Sequence, residues 1–366
     1  MSKLLLNLSI LGPRPTGLGV YASRCANALV DRFEVSVVAN KGYAAGAPVA
    51  VEAPPEVAVG SGKLAALKRI FWSRSLRFDG GTLIYSPTHH TVGAVENQIL
   101  TIHDLICLRF PAQHKPQYLF FKHVLPGLAK KCRAVFTVSE TTRQDVAQHF
   151  NLPLSKIFVV PNGVDALVFA PAERPHAKAE PYLLMVGARY PHKNVQEVLA
   201  NHTSWSDRFK LVVASCGGKY RQQLQQQAQD AGIANRVEFK EYVSFPELVS
   251  LYQCAAALVY PSFWEGFGIP PLEALASGSE VIASDIPVHR EVLGAAAVFV
   301  RLGDADSWRK AFSDLANPDK RAARREAADR VLTHYTWEKS AQILEECILK
   351  VEPLLESTRK GIGRHG

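Results

Sequence analysis

The chain has 366 residues, 47% of them apolar and 21% charged, with a formal net charge of +8. This is the composition of a globular protein of two or three domains, and it excludes a disordered chain, a collagen-like fibre and a membrane bundle, whose spans need ~20 apolar residues in a row. The six cysteines are scattered, with no C-x-x-C pair and no His–Cys cluster, so they read as single buried thiols of a reducing compartment.

The opening MSKLLLNLSILGP carries one Lys, is interrupted by Asn7 and has no small-residue cleavage pattern behind it. It reads as a first buried strand, not a signal peptide, and cytoplasm is the expected location. Gly12, Gly17 and Gly19 follow, ahead of a helix with apolar spacing. A turn that meets phosphates and a plain structural turn both fit such glycines.

Residues 61–78 interleave Lys63, Lys68, Arg69, Arg74 and Arg77 with Leu64, Leu67, Ile70, Phe71, Trp72 and Leu76. A basic amphipathic helix of this kind lies on an anionic membrane surface or is an ordinary solvated face. No nucleic-acid reading module accompanies it, so nucleic acid is not expected as a partner. Residues 1–165 hold 18 Lys+Arg against 10 Asp+Glu, and residues 166–366 hold 24 of each, so the whole excess charge is in the first half.

Apolar β-type runs recur at 3–10, 33–39, 82–86, 99–103, 134–138 and 157–161, and then at 182–187, 210–215, 236–240, 256–261, 280–284 and 297–301. Helical stretches separate them. Continuous apolar strands covered on both faces, alternating with helices, predict parallel, doubly wound sheets. A Pro/Ala-rich stretch at 170–181 divides the two sets, so two such domains are expected. Ligands of open α/β sheets bind beyond the carboxyl ends of strands, and two facing sheets would enclose a cleft there.

Four loops in that position carry chemistry. After 256–261 comes PSFWEGFGIPPLEALASG. Gly266, Phe267 and Gly268 form a turn, and Pro270 and Pro271 open a helix whose free N–H groups attract an anion such as a diphosphate. Glu265 and Glu273 frame it. Carboxylates repel phosphate, so they suit hydroxyls of a ribose or hexose, the alternative being two solvated carboxylates. After 182–187 comes VGARYPHKN, where Arg189, His192 and Lys193 can neutralise a diphosphate leaving group or simply be solvated. His103 and Asp104 end the run 99–103, and His89 and His90 follow 82–86 in the equivalent place. Asp304 and Asp306 have a D-x-D spacing but sit in a turn, where such residues cap helices. No metal site is expected, and His365 lies in the terminal tail.

These residues together resemble family 4 glycosyltransferases with the GT-B fold. The resemblance rests on Glu265…Glu273 in EGFGIPPLEALASG, Gly17–Tyr21, His103-Asp104, Ser139-Glu140 followed by VVPNGVD, and GARYPHKN. It implies two facing Rossmann-like domains with an interdomain cleft. Residues 1–168 would take the acceptor, 169–344 would bind the nucleotide sugar, and a C-terminal helix at about 345–366, beginning near Trp337, would cross back onto the first domain.

By the same resemblance, Glu265 touches the transferred sugar and Glu273 holds the ribose. Lys193 with a nearby Arg, here Arg189, contacts the diphosphate, and His103 lies by the sugar. Gly17 and Gly19 reach the phosphates, and the base binds near 241–244, around Val243. The implied reaction is metal-independent and retains anomeric configuration. The donor would be a GDP- or UDP-linked hexose, mannose favoured, and the acceptor a lipid-linked saccharide in exopolysaccharide or O-antigen assembly. Other GT-B reactions, phosphorylase- or epimerase-like, and a non-catalytic nucleotide-sugar sensor are the alternatives. The chain departs from the family pattern at His192, where many relatives have Arg, and at Glu280, where the usual residue is Pro.

Overall fold

In a computed structural model the described residues are 3–12, 17–58, 61–62, 65–171 and 180–360. The central part of the stretch 170–181, Lys63 and Leu64 of the basic segment, His365, and the part of the first glycine turn at 13–16 lie outside them. The chain forms two compact units. One comprises the residues up to Leu108, Lys115–Asn162 and everything from Trp337 onward; the other comprises Arg109–His114 and Gly163–Thr336. The change therefore falls six residues before the 168/169 division read from the sequence. The returning C-terminal segment begins at Trp337, the start read from the sequence, so the second unit ends at Thr336 and not at 344.

The first unit holds a parallel sheet of β1 (Lys3–Leu8), β2 (Val35–Ala39), β3 (Val49–Glu52), β4 (Thr82–Ser86), β5 (Gln98–Ile102), β6 (Ala134–Thr137) and β7 (Ile157–Val159). Their order is β3-β2-β1-β4-β5-β6-β7. Every residue of β4, β5 and β6 is buried, which is why these strands read as unbroken apolar runs. β3 was not expected. It is an exposed edge strand, VAVE, that pairs only with β2, so it lacks a strong apolar pattern.

The helix Trp337–Val351 packs on the helix Gly17–Arg32 of the same unit. Arg32 Nε lies 3.0 Å from Glu345 Oε2, Arg359 Nη2 lies 2.6 Å from Glu345 Oε1, and Arg133 Nη1 lies 2.7 Å from Glu352 Oε2. Residues 337–359 are thus tied to the helices and loops of the first unit.

The second unit holds β8 (Tyr182–Met185), β9 (Lys210–Ala214), β10 (Val237–Lys240), β11 (Ala257–Tyr260), β12 (Glu280–Ser284) and β13 (Val298–Val300), ordered β10-β9-β8-β11-β12-β13 and all parallel. Its core gathers Leu183, Met185, Leu199, Trp205, Leu211, Val213, Trp308 and Phe312. Trp205 is fully buried and still donates Nε1–H to the Val198 carbonyl at 3.0 Å. Truncating a core tryptophan of this kind to Ala typically costs about 3–5 kcal/mol.

In both sheets the order reverses once: between β1 and β4, and between β8 and β11. At such a switch the two connections leave on opposite faces, and a crevice opens beyond the carboxyl ends of the two strands. These two places are where ligand chemistry is to be sought.

Candidate active site

At the switch of the second unit, the loop after β8 meets the loop after β11. The first loop forms a short 3-10 turn, Pro191–Lys193, and then the helix Val195–Ala200, whose Val195, Val198 and Leu199 are fully buried. That core contact anchors Lys193. The Phe263 N–H donates to the His192 carbonyl at 2.9 Å and ties the second loop to the first.

Lys193 Nζ lies 2.5 Å from Glu265 Oε1 and donates to the Tyr260 hydroxyl at 3.1 Å. Glu265 is only 6% exposed. Burial alone would raise its carboxyl, but the Lys193 charge, with the hydrogen bond that Lys193 donates, holds it below the ordinary carboxylate range. Burial would lower the Lys193 ammonium, yet Glu265 and Tyr260 raise it above its ordinary value. The pair is therefore ionised. Coulomb attraction at low dielectric and short range is what keeps both charges present in a buried site.

Eight residues on, Glu273 stands in the helix Ile269–Ala276, and its Oε2 accepts from the Tyr252 hydroxyl at 2.7 Å. Burial raises this carboxyl to about 6, although the Tyr252 hydrogen bond pulls it down. One spacing in the sequence thus yields two acids of different character: a fixed anion, and a carboxyl that titrates close to neutrality.

Gly268 caps the helix at φ +99°, a left-handed conformation that favours glycine. Pro270 and Pro271 occupy the first turn, where a missing N–H removes no helical bond. Phe267 is buried against Tyr335, edge to face at 5.3 Å. Val243 lies half-buried in the loop between β10 and the helix Phe245–Cys254. Beside it Tyr242 is exposed, offering a ring face on which a base could stack.

The sites read from the sequence do not all converge. Arg189 is exposed and takes no part in the Lys193–Glu265 network. His192 is buried, donates Nδ1–H to Gln113 Oε1 at 3.1 Å and stacks on Phe110 at 5.6 Å. Burial and the neighbouring Lys193 push its pKa down to about 4. It is a neutral spacer at pH 7, not a substitute for a cation. Glu280 begins β12 and pairs with Arg324 Nε at 2.6 Å, which accounts for an acid in place of the family's proline. Asp304 accepts from the N–H groups of Asp306 and Ser307 at 3.0 and 3.1 Å, as the cap of the helix Ala305–Ala316.

In the first unit, His103 follows β5. Its Nε2–H donates to the Pro87 carbonyl at 3.0 Å, and its ring meets Tyr21 edge-on at 4.7 Å. Burial lowers its pKa to about 4, with the Pro87 hydrogen bond acting the other way. Asp104 Oδ1 accepts from the Ile106 N–H at 2.9 Å and so starts the next helical turn. Gly17 and Gly19 stand in the first turn of the helix Gly17–Arg32. A Cβ at Gly17 would meet nothing within 4 Å. Ser139 caps the helix Glu140–Phe150 through Thr142 N–H at 3.0 Å.

The chain matches Glycosyltransferase Family 4 over residues 15–166 and the glycosyl transferases group 1 family over residues 169–331. It is 35% identical over 324 residues to the O-antigen chain mannosyltransferase RfbU of Salmonella typhimurium, across 85% of this chain and 90% of that one. The chain is a family 4 glycosyltransferase.

Two solved structures bear on the fold of this glycosyltransferase. A sucrose-phosphate synthase from Thermosynechococcus elongatus superposes with TM-score 0.73 at 18% identity, covering 97% of this chain and all of that one. The Anabaena protein HepE, in complex with UDP-glucose, superposes with TM-score 0.72 at 17% identity over 96% of this chain and all of that one. The fold is thus GT-B, built of two Rossmann-like units.

Sequence reasoning missed Tyr252, Tyr260, Gln113 and His289 in this candidate site. Tyr260 was within reach, as the last residue of the strand that precedes the paired-Glu motif. His289 donates Nδ1–H to the Ser284 carbonyl at 3.0 Å and leaves a buried Nε2 without a hydrogen-bond partner among the described residues. That Nε2 would lie 3.8 Å from a Cβ on Gly268. Nothing in the sequence spacing links His289 to that turn.

Proposed function

We propose that this glycosyltransferase moves a hexose, mannose favoured, from a GDP- or UDP-linked donor to a lipid-linked saccharide of a surface polysaccharide, with retention of configuration and without a metal ion. The single observation that carries the donor half is the Lys193–Glu265 pair, buried at the β8/β11 switch beside the helix that begins at Ile269. Mannose and the polysaccharide follow from the relative named above, itself an O-antigen chain mannosyltransferase. The solved complex with UDP-glucose keeps uridine as the second base to test.

In this reading Lys193, Arg189 and the N-terminal end of that helix receive the charge that develops on the leaving diphosphate, which lowers the barrier electrostatically. Gly266, Phe267 and Gly268 shape the turn, Glu265 accepts from the sugar hydroxyls, Glu273 from the ribose, and Val243 borders the base. The acceptor hydroxyl attacks from the leaving-group face, and the departing phosphate takes its proton. The first unit binds the acceptor. His103, neutral at pH 7 and with Nε2–H committed to Pro87, can accept at Nδ1 from a sugar hydroxyl. Gly17 and Gly19 keep their assignment to the phosphates.

The test is calorimetric binding of GDP and UDP, followed by transfer assays with the matching mannose and glucose donors on Glu265→Ala and Lys193→Ala. A loss of transfer of at least a hundredfold with either variant is expected. Near-wild-type transfer in both would overturn the reading.

Peripheral membrane contact belongs to the same proposal, in revised form. The helix Ala65–Ser75 carries Leu67 and Phe71, 55% and 72% exposed, beside exposed Lys68 and Arg74. Arg69, expected on that outer face, is buried instead. Among the described residues no helix is long and apolar enough to cross a membrane.

A further inference from the structure

The switch of the first unit, between β1 and β4, holds a group that the donor chemistry does not use. Arg69 is 8% exposed, and no carboxylate among the described residues lies within ion-pair distance of it. Its Nε–H donates to the Val57 carbonyl at 2.6 Å, and its Nη1–H donates to His90 Nε2 at 2.7 Å. A buried guanidinium ordinarily has an anion beside it, because an uncompensated buried charge is costly. Here its partners are a carbonyl and an imidazole, and Nη2 donates to nothing among the described residues.

The surroundings are built to hold that guanidinium in place. His90 accepts from Arg69 at Nε2, so its proton is on Nδ1, which donates to Thr88 Oγ1 at 3.1 Å. Asn7, on β1, donates Nδ2–H both to Ser86 Oγ and to the His90 carbonyl at 3.0 Å, and so binds the end of β1 to the end of β4. His89 stacks on His90 at 4.2 Å and meets Phe121 edge-on at 4.8 Å. No hydrogen bond engages either ring nitrogen of His89 among the described residues. Burial lowers the pKa of His89 to about 3, with His103 and Arg69 adding to the effect. All of these side chains stand where an open α/β sheet receives its ligand.

We propose that Arg69, oriented by His90 and flanked by His89, is the receptor for a phosphate or diphosphate group on the acceptor. A planar guanidinium with a free edge suits paired phosphate oxygens, and the bound anion supplies the counter-charge that the protein omits. His90 is a positioning residue, while Arg69 and His89 touch the ligand. The inference rests on the first unit being the acceptor unit of the glycosyltransferase. It adds that the acceptor is anionic, and where its charge is read.

The full chain is titrated with inorganic pyrophosphate while the histidine ring resonances are followed by NMR, in the wild type, Lys193→Ala, Arg69→Gln and Arg69→Lys. An alkyl diphosphate and a hexose 1-phosphate are run as further probes, to separate a lipid-linked diphosphate from a sugar phosphate. The His89 and His90 signals are expected to move saturably in the wild type and equally in Lys193→Ala. In Arg69→Gln the apparent Kd for that movement should rise at least tenfold, and less in Arg69→Lys.

Nucleoside diphosphate binding, read in parallel by calorimetry, should weaken in Lys193→Ala and stay unchanged in Arg69→Gln. If it ignores Lys193, the donor assignment fails while this one stands. Unmoved His89 and His90 signals in the wild type would overturn the proposal, as would an unchanged Kd in a folded Arg69→Gln protein. Should Arg69→Gln not fold, the wild-type and Arg69→Lys titrations still decide.

Discussion

Tyr252 donates its hydroxyl to Glu273 Oε2 at 2.7 Å, so a residue of one helix moderates the protonation of a residue in the next. The carboxyl is raised by burial from 4.5 to about 6, and the Tyr252 hydrogen bond opposes the rise. Donor affinity should therefore improve as pH climbs through about 6, as the carboxylate that accepts ribose hydroxyls appears. Tyr252→Phe should shift that midpoint to higher pH. The stability effect has the opposite sign. A carboxyl whose folded pKa is raised stabilises the fold when protonated, so its contribution is complete below 4.5 and lost as pH rises through about 6. Donor Kd and Tm measured from pH 5 to 8 check both halves.

Removing Lys193 leaves Glu265 as a buried, uncompensated anion. Lys193→Ala should cost about 3–5 kcal/mol of stability, as broken buried pairs do, whereas Lys193→Met combined with Glu265→Leu should recover much of it. Neither protein should transfer sugar. Urea unfolding beside a transfer assay would separate the loss of fold from the loss of chemistry.

Gly268 stands at φ +99°, and a Cβ there would make only ordinary contacts, at 3.7 Å to His289. The penalty of Gly268→Ala is therefore backbone strain rather than collision, about 1–3 kcal/mol. Donor binding should weaken with it, because the turn would move to relieve the strain. Calorimetry with the preferred nucleoside diphosphate measures that change.

Asp304 caps a helix through two N–H groups. Asp304→Ala should cost about 1 kcal/mol of stability and leave transfer untouched, and excess EDTA should leave transfer untouched as well. Activity lost to EDTA and restored by a divalent cation would overturn the metal-free reading.

Phe71 and Lys68 share the outer face of the helix Ala65–Ser75. Phe71→Asp with Lys68→Glu should reduce co-sedimentation with anionic liposomes severalfold, without change in Tm, because neither side chain is buried. Equal sedimentation of wild type and variant would argue for an acceptor met in solution.

Much of this was open to sequence reasoning, for a physical reason. Strands such as β11, buried along their whole length, have to be continuously apolar, and the loops that follow them have to carry the polar chemistry. Glu265, Glu273 and Lys193 were therefore visible from position alone. β3 was hidden because an edge strand half in water needs no apolar run. The inward turn of Arg69 was hidden because an alternating basic and apolar helix states its periodicity but not which cation finds an interior acceptor. Tyr252, Gln113 and His289 act through contacts with residues 21, 79 and 5 positions away. The first two pairings are set by how the elements pack in three dimensions, and the third by the turn after β12 that folds His289 back on Ser284; no apolar or polar pattern announces any of them.

The first unit draws its last helix, Trp337–Val351, from the far end of the polypeptide. During translation the second unit has all its residues out of the ribosome before that helix emerges. At about 5–20 residues per second, the wait is on the order of seconds to tens of seconds. The nascent amino-terminal sheet must pass that interval with one flank bare, so chaperone demand should concentrate there, and shortening the carboxyl terminus should harm the opposite end of the molecule first.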